Sequence, residues 1–178
     1  MRLLERLAII LASLALAFGL IALLSGFFQS RDNASLAGSA GLGQRFRDMG
    51  NGTLAPGTLR PPYDSDPPTS GPHLPAPVTH DRVQLNDDQL LTALSLGNVV
   101  IMYGTRQPPP DLVSLASSLA GTFTPSLAAA GQAVILSPRP GLQGYLGVAW
   151  THLIRVGDPG DPHLRSFAAY WLGRGAPR

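Results

Sequence analysis

The pattern of apolar and polar positions opens with an uncharged apolar run from Leu7 to Phe28, which follows Arg2, Glu5 and Arg6. A helix over residues 7–28 rises about 1.5 Å per residue and spans roughly 33 Å, enough to cross a hydrocarbon core of about 30 Å. The apolar cores of secretory signals usually end by about 15 residues. The pattern therefore predicts an uncleaved transmembrane anchor over residues 1–28.

Small residues recur along this run at alternating spacings of four and three, which places them on one stripe of a helix. They are Ala8, Ala12, Ala15, Gly19, Ala22 and Gly26. Helices associate in lipid by close backbone approach, which small side chains permit. The stripe therefore predicts packing against transmembrane helices of other subunits. The alternative is that a composition rich in alanine produces the stripe by chance.

The charges that flank the apolar run bear on its orientation in the membrane. Arginines lie on both sides of the run, so a count of positive charges does not decide between the two orientations. A very short basic tail before a long apolar run is typical of an anchor whose amino end is cytoplasmic. We expect a single-pass inner-membrane protein, in contact with the lipid bilayer, whose C-terminal domain is extracytoplasmic or periplasmic.

Two segments without regular periodicity follow the anchor. Residues 29–60 are rich in Gly, Ala, Ser and Asn and predict a tether. Residues 61–85 include all seven prolines found between Arg60 and Pro77 and predict an extended arm. Such an arm needs a surface on which to lie.

From residue 86 the hydrophobic pattern becomes that of a globular domain over residues 86–178. It predicts an order of helix, strand, helix, strand, strand, helix, and hence a small α/β (or α+β) layer domain with a short mixed sheet. The elements are a helix capped by Asn86 and ended by Gly97, a buried strand Val99–Tyr103, a helix capped by Asp111, a buried strand Ala133–Leu136, a long or bent strand Tyr145–Val156, and a helix from Asp161–Pro162 to Gly173.

Composition narrows the classes of function. The net charge of +2 is too small to indicate a nucleic-acid partner, and all 13 basic residues are arginine. The absence of cysteine excludes disulfides, thiolate metal sites and thiol catalysis. Only 13% of residues are charged, which suggests that partner subunits cover part of the surface.

The arm carries the sequence PPYDSDPPTSGPH, from Pro61 to His73, which resembles the hallmark of the bacterial family called domain of unknown function 3105. Members carry a PPTSGPH arm, an HxLEHG stretch before an apolar strand, an Ala-Trp pair and a final Ala-Pro pair. The resemblance covers about residues 50–177. The chain keeps these features at Pro67, Pro68, Thr69, Ser70, Gly71, Pro72 and His73, at Val99 to Ile101, at Ala149–Trp150 and at Ala176–Pro177.

The HxLEHG stretch is the main departure from the family pattern. It falls on residues 92–97, where Thr92 and Leu96 replace both histidines and Ser95 replaces the glutamate. A further family histidine aligns with Thr53. Because imidazoles and a carboxylate would suit a zinc or copper site, the resemblance implies that such a site has been lost here. We expect a domain retained for its shape, with Pro67, Pro68, Gly71, Pro72 and His73 as its structural arm.

The remaining polar residues give little indication of chemistry. His73, beside Pro72, is interpreted as a packed residue bonded to backbone, while a rebuilt metal site from His73, His80 and His152 stays open as an alternative. Ser70 near His73 lacks a nucleophile elbow and an acid partner, so no catalytic residue is predicted. No cofactor motif is present, and no cofactor is expected.

These observations predict a non-catalytic, single-pass accessory subunit of a larger membrane complex, possibly an energy-transducing one. Its partners would be the transmembrane helices and extracytoplasmic surfaces of other subunits. The alternative is a membrane-tethered protein that binds copper or zinc through a rebuilt histidine site.

Overall fold

The computed structural model describes residues 42–55 and 57–177. The predicted anchor, its stripe of small residues, and residues 29–41 and 56 of the predicted tether lie outside these ranges. Within them, no helix combines the length and the apolar character needed to cross a bilayer.

The described residues form a small α+β domain around a mixed five-stranded sheet. The strands are β1 Gln44–Arg45, β2 Val99–Tyr103, β3 Val134–Pro138, β4 Tyr145–Ala149 and β5 His152–Val156. The helices are α1 Asp87–Leu96, α2 Pro110–Ala120, α3 Pro125–Ala129 and α4 Pro162–Trp171. The strand order is β1-β5-β4-β2-β3, in which β2 and β3 are parallel and the other neighbours antiparallel.

The two parallel strands lie under helices on both sides, which explains their continuous apolar sequences. One face of the sheet packs against α1 through Leu90, Leu91 and Leu94. The opposite face packs against α2 and α4, where Leu164 and Phe167 are fully buried. The sequence prediction of two buried strands is confirmed.

Helix boundaries follow the predicted capping residues at three places. Asn86 accepts the N–H of Gln89 while the Gln89 side chain accepts the N–H of Asn86, forming a capping box before α1. Gly97 ends that helix with a φ of +112°, a conformation that favours glycine. Asp161 caps α4 by accepting the N–H of His163, and Pro162 is the first helical residue.

Two element predictions are corrected. The segment Tyr145–Val156 is a hairpin of two strands rather than one long or bent strand, because Thr151 adopts a positive φ of +59° and reverses the chain. Asp111 is not a cap: α2 begins at Pro110, and Asp111 lies in its first turn, where a carboxylate favours the helix dipole.

Candidate functional site

The best-defined polar region is the signature arm, residues 67–73, which packs against the β4–β5 turn. Thr69 and Ser70 are completely buried. The Thr69 carbonyl accepts the N–H of Thr151 at 3.0 Å, so the arm is bonded to the turn of the hairpin. The polar groups of the arm therefore face the domain itself.

Residues 47–54 form the second surface that holds the arm. The Ser70 hydroxyl accepts the N–H of Met49 and donates to the carbonyl of Arg47, both at 3.0 Å. The arm also pairs with this segment through backbone hydrogen bonds from Gly71 to Gly50 and from His73 to Gly52, at 2.9 and 3.0 Å. The second of these belongs to a parallel bridge between Thr53 and His73.

This arrangement predicts the effect of removing the Ser70 hydroxyl. Ser70→Ala leaves one partly buried N–H and one carbonyl without their partner, which is expected to destabilise the domain by about 1 to 3 kcal/mol. Thermal unfolding of the full-length protein in a mild detergent measures the change. The control is Ser117→Ala on the exposed surface of α2, where the hydroxyl bonds only its own helix; equal effects of the two changes would contradict the assignment.

Helix α1 holds residues 74–76, which follow the signature arm, through two of its residues that lie one turn apart. Asp88 accepts the N–H of Leu74 at 2.9 Å and pairs with the Arg60 guanidinium. The hydroxyl of Thr92 accepts the N–H of Ala76 at 3.0 Å. Residues four apart lie on the same helix face. This face of α1 therefore binds the backbone of residues 74–76, directly after the signature arm.

The charge of Asp88 is stabilised where it lies. Burial on its own raises the pKa of Asp88, but the hydrogen bonds from Arg60 and from the Leu74 N–H outweigh burial and bring the pKa below its ordinary value. The same ion pair raises the pKa of Arg60. Asp88 therefore binds both donors as a carboxylate at neutral pH.

We expect Asp88→Asn to remove a stabilisation that depends on pH. A folded-state pKa below the unfolded value gives stability that is present above the unfolded pKa of about 3.9 and is lost as the pH falls through the folded pKa. The melting temperature should be lower in the variant by about 3 °C at pH 7, allowing for the partly exposed Arg60. Scanning calorimetry from pH 7 to about pH 3 should show this difference shrinking; a difference that stays constant would contradict it.

His73 is buried, with 6% of its surface exposed, and its ring is oriented by the arm. Its Nδ1 lies 2.9 Å from the Gly71 carbonyl, which can only accept, so Nδ1 carries the proton. The backbone N–H and carbonyl of His73 both bond residues 52–54. All three contacts hold the position of the arm.

The other two histidines proposed for a rebuilt metal site lie in different surroundings. His80 is exposed, and its Nδ1 lies 2.9 Å from the Thr79 hydroxyl. His152 stacks on Trp171 with ring centres 3.8 Å apart, and burial lowers its pKa. In the described ranges, no three His, Cys, Asp or Glu side chains form a group that could hold a metal ion.

Residues 92–97, which align with the HxLEHG stretch, pack within the domain and help to hold the segment that follows the signature arm. Thr92 bonds the arm's continuation, and the Ser95 hydroxyl donates to the Thr92 carbonyl at 3.0 Å. Leu96 is exposed over 47% of its surface. Thr92 and Leu96 line the same cavity, of about 210 Å³, together with Pro77 and Val78.

The comparison with protein families settles the relationship that the arm suggested. The model of the family described as protein of unknown function (DUF3105) matches residues 59–177. The chain belongs to this family. A search of the curated proteins found no match to this DUF3105 chain, and a search of the solved structures found none either.

Three residues that hold the chain of this DUF3105 protein next to its signature arm have no such role in the sequence analysis. They are Arg60, Asp88 and Thr92. The sequence pattern places Arg60 at the end of the tether and Thr92 at the position of a replaced histidine. A signal for their role was present, because Asp88 and Thr92 are spaced four apart on one helix face.

Proposed function

We propose that this protein is a non-catalytic, single-pass accessory subunit of a larger membrane complex, with its α+β domain extracytoplasmic and docked on partner subunits. The observation that carries the proposal is that the signature arm, residues 67–73, joins residues 47–54 to the β4–β5 turn by hydrogen bonds. We call this arrangement a brace. Thr69, Ser70, Gly71 and His73 bond the domain's own backbone, an arrangement suited to a domain that presents a fixed shape.

The sequence supplies the second support. An apolar run over residues 7–28 is long enough to span a bilayer, and its stripe of small residues suits close packing on a partner's helix. A subunit of this kind would be anchored by its own helix and oriented by contacts of that helix and of the domain.

The proposal is tested by purifying the tagged protein from its native membrane in a mild detergent. Mass spectrometry identifies the chains that co-elute, and elemental analysis of the same fraction measures bound metal. The proposal expects stoichiometric membrane partners and no copper or zinc on this chain. A lone protein with about one equivalent of metal that His73→Ala abolishes would instead establish the metal-binding alternative.

The contribution of the stripe is tested by adding bulk to it. Leucine at Ala15, Gly19 and Ala22 should reduce the yield of co-purified partners, because the helices can no longer approach closely. Leucine at Ser13 and Ala17, which lie off the stripe in the same apolar run, provides the matched control. Equal loss from both sets would count against packing through the stripe.

A further inference from the structure

A partly exposed aromatic and basic surface lies at the end of α4. We define the Trp171 surface as Arg45, His152, Tyr170, Trp171 and Arg174. The Trp171 ring stacks on His152 and meets the edge of Tyr170 with ring centres 4.9 Å apart. The Arg174 guanidinium lies over the Tyr170 ring, 4.2 Å from its centre.

The Trp171 surface combines apolar area with unpaired positive charge. Tyr170 is exposed over 39% of its surface. Arg45 and Arg174 are exposed, and neither forms an ion pair with any residue in the ranges 42–55 and 57–177. Tyrosine and tryptophan beside arginine are the side chains enriched where proteins meet lipid head groups.

The chain enters the described domain at this surface. The indole N–H of Trp171 donates to the carbonyl of Leu42, the first described residue, at 2.8 Å. Residues 29–41 separate Leu42 from the end of the apolar run, and this length of chain reaches at most about 45 Å. A membrane anchored by residues 7–28 is therefore within reach of the Trp171 surface.

We propose that the Trp171 surface binds the anionic head groups of the bilayer that holds the chain's own anchor. The inference rests on the proposed membrane anchor and adds a second, reversible contact. The aromatic rings supply interfacial apolar contact, while Arg45 and Arg174 supply attraction to negatively charged lipid, each worth about a fivefold gain in binding.

The test uses the full-length protein in nanodiscs of phosphatidylcholine, with and without phosphatidylglycerol. The chain has two tryptophans, and Trp150 is buried with 3% exposed, so Trp150→Phe leaves Trp171 as the only indole signal. Quenching of that signal by spin labels on the lipid head groups reports contact. We expect strong quenching that increases when phosphatidylglycerol is present.

A charge reversal tests which part of the domain is in contact. Arg174→Glu changes the charge by two units, and at about fivefold per unit charge it should weaken the binding of the Trp171 surface to anionic lipid by about 25-fold. Arg106→Glu makes the same change of charge in the loop after β2, at the opposite end of the strands. That control should leave the quenching unchanged, and an equal loss in both variants would contradict a specific surface.

A second measurement avoids the Trp150→Phe substitution in the core. The chain has no cysteine, so Pro177→Cys and Gln143→Cys each carry a single environment-sensitive fluorophore. Pro177 is three residues from Arg174, whereas Gln143 precedes Tyr145, which pairs with Val156 at the far end of β5. A blue shift on addition of anionic lipid is expected only for the label at position 177.

The outcomes separate this proposal from the proposed function. A protein that enters nanodiscs but shows no lipid contact at Trp171 or position 177 overturns the surface proposal and leaves the anchor intact. A protein that does not enter nanodiscs overturns both. If a co-purified subunit shields Trp171 and lipid does not quench its fluorescence, the Trp171 surface binds a protein partner. That result overturns the proposal that this surface binds the bilayer.

Discussion

Replacing Gly131 with alanine is expected to destabilise the domain by about 3 to 4 kcal/mol, the largest single effect that we predict. Gly131 follows α3 and has a φ of +72°, where a side chain is strained. A Cβ atom at this position would overlap the backbone carbonyl of Leu96 at the end of α1. Backbone atoms cannot move aside as a flexible side chain can, so two elements would have to separate.

Gly121 provides a matched control for this change. It has nearly the same φ, +74°, but no atom lies within 4 Å of the position that its Cβ would take. Gly121→Ala should therefore cost only the conformational strain, about 1 to 2 kcal/mol. Thermal unfolding of both variants by circular dichroism measures the difference, and equal melting temperatures would show that the loop relaxes without cost.

Replacing Gly71 with alanine is expected to loosen the signature arm at a cost of about 3 kcal/mol. Gly71 has a φ of +134°, and an added Cβ would lie 2.7 Å from the Tyr63 ring. The Tyr63 hydroxyl donates to the Pro72 carbonyl at 2.9 Å, so moving the ring would also break this bond. Gly71→Ala therefore strains the backbone of the signature arm and also disturbs the hydrogen bond that Tyr63 makes to it.

Gly50 is the control for the arm because its carbonyl accepts the Gly71 N–H and its own Cβ position is free of contacts. Gly50→Ala keeps that hydrogen bond and should cost less than Gly71→Ala. Limited proteolysis adds a local readout, since cleavage near residues 60–75 should increase in Gly71→Ala before the whole domain unfolds. Protection equal to that of the unaltered protein would contradict the brace.

The helices and buried strands were accessible from sequence because their signals are local. The pair Asn86 and Gln89, the step Asp161–Pro162 and the apolar run Val99–Tyr103 each carry their own physical reason for an end or a core position. Apart from helix α3 and the division of residues 145–156 into two strands, the element order in the globular part followed from these signals, and the mixed sheet is confirmed.

Of the three elements that were missed, two depend on contacts between distant residues and one is too short to show a period. The hairpin turn at Trp150–Thr151 contains no glycine or asparagine, and Thr151 takes its positive φ while its N–H bonds Thr69 in the arm. Strand β1 has only two residues, paired with β5 more than 100 positions later. Helix α3 spans five residues, too short to show a helical period.

The candidate site likewise combines a motif that the sequence shows with contacts that it does not show. The arm was visible as a motif, but its role came from partners that no spacing predicts: Arg47 and Met49 for Ser70, and Asp88 for the segment after His73. Sequence comparison treated Thr92 as a lost ligand, whereas its hydroxyl now holds the backbone of Ala76. The geometry thus explains how the segment around His73 is held, which the motif alone did not.

The most direct test of the brace is the melting temperature of the metal-free, full-length protein with and without zinc or copper. A ligand present at 100 times its dissociation constant stabilises the folded state by about 2.7 kcal/mol, a shift of several degrees in a domain of this size. If the arm is a structural brace, neither metal changes the melting temperature, and His73→Gln responds like the unaltered protein. A metal-dependent increase that His73→Gln abolishes would contradict the account.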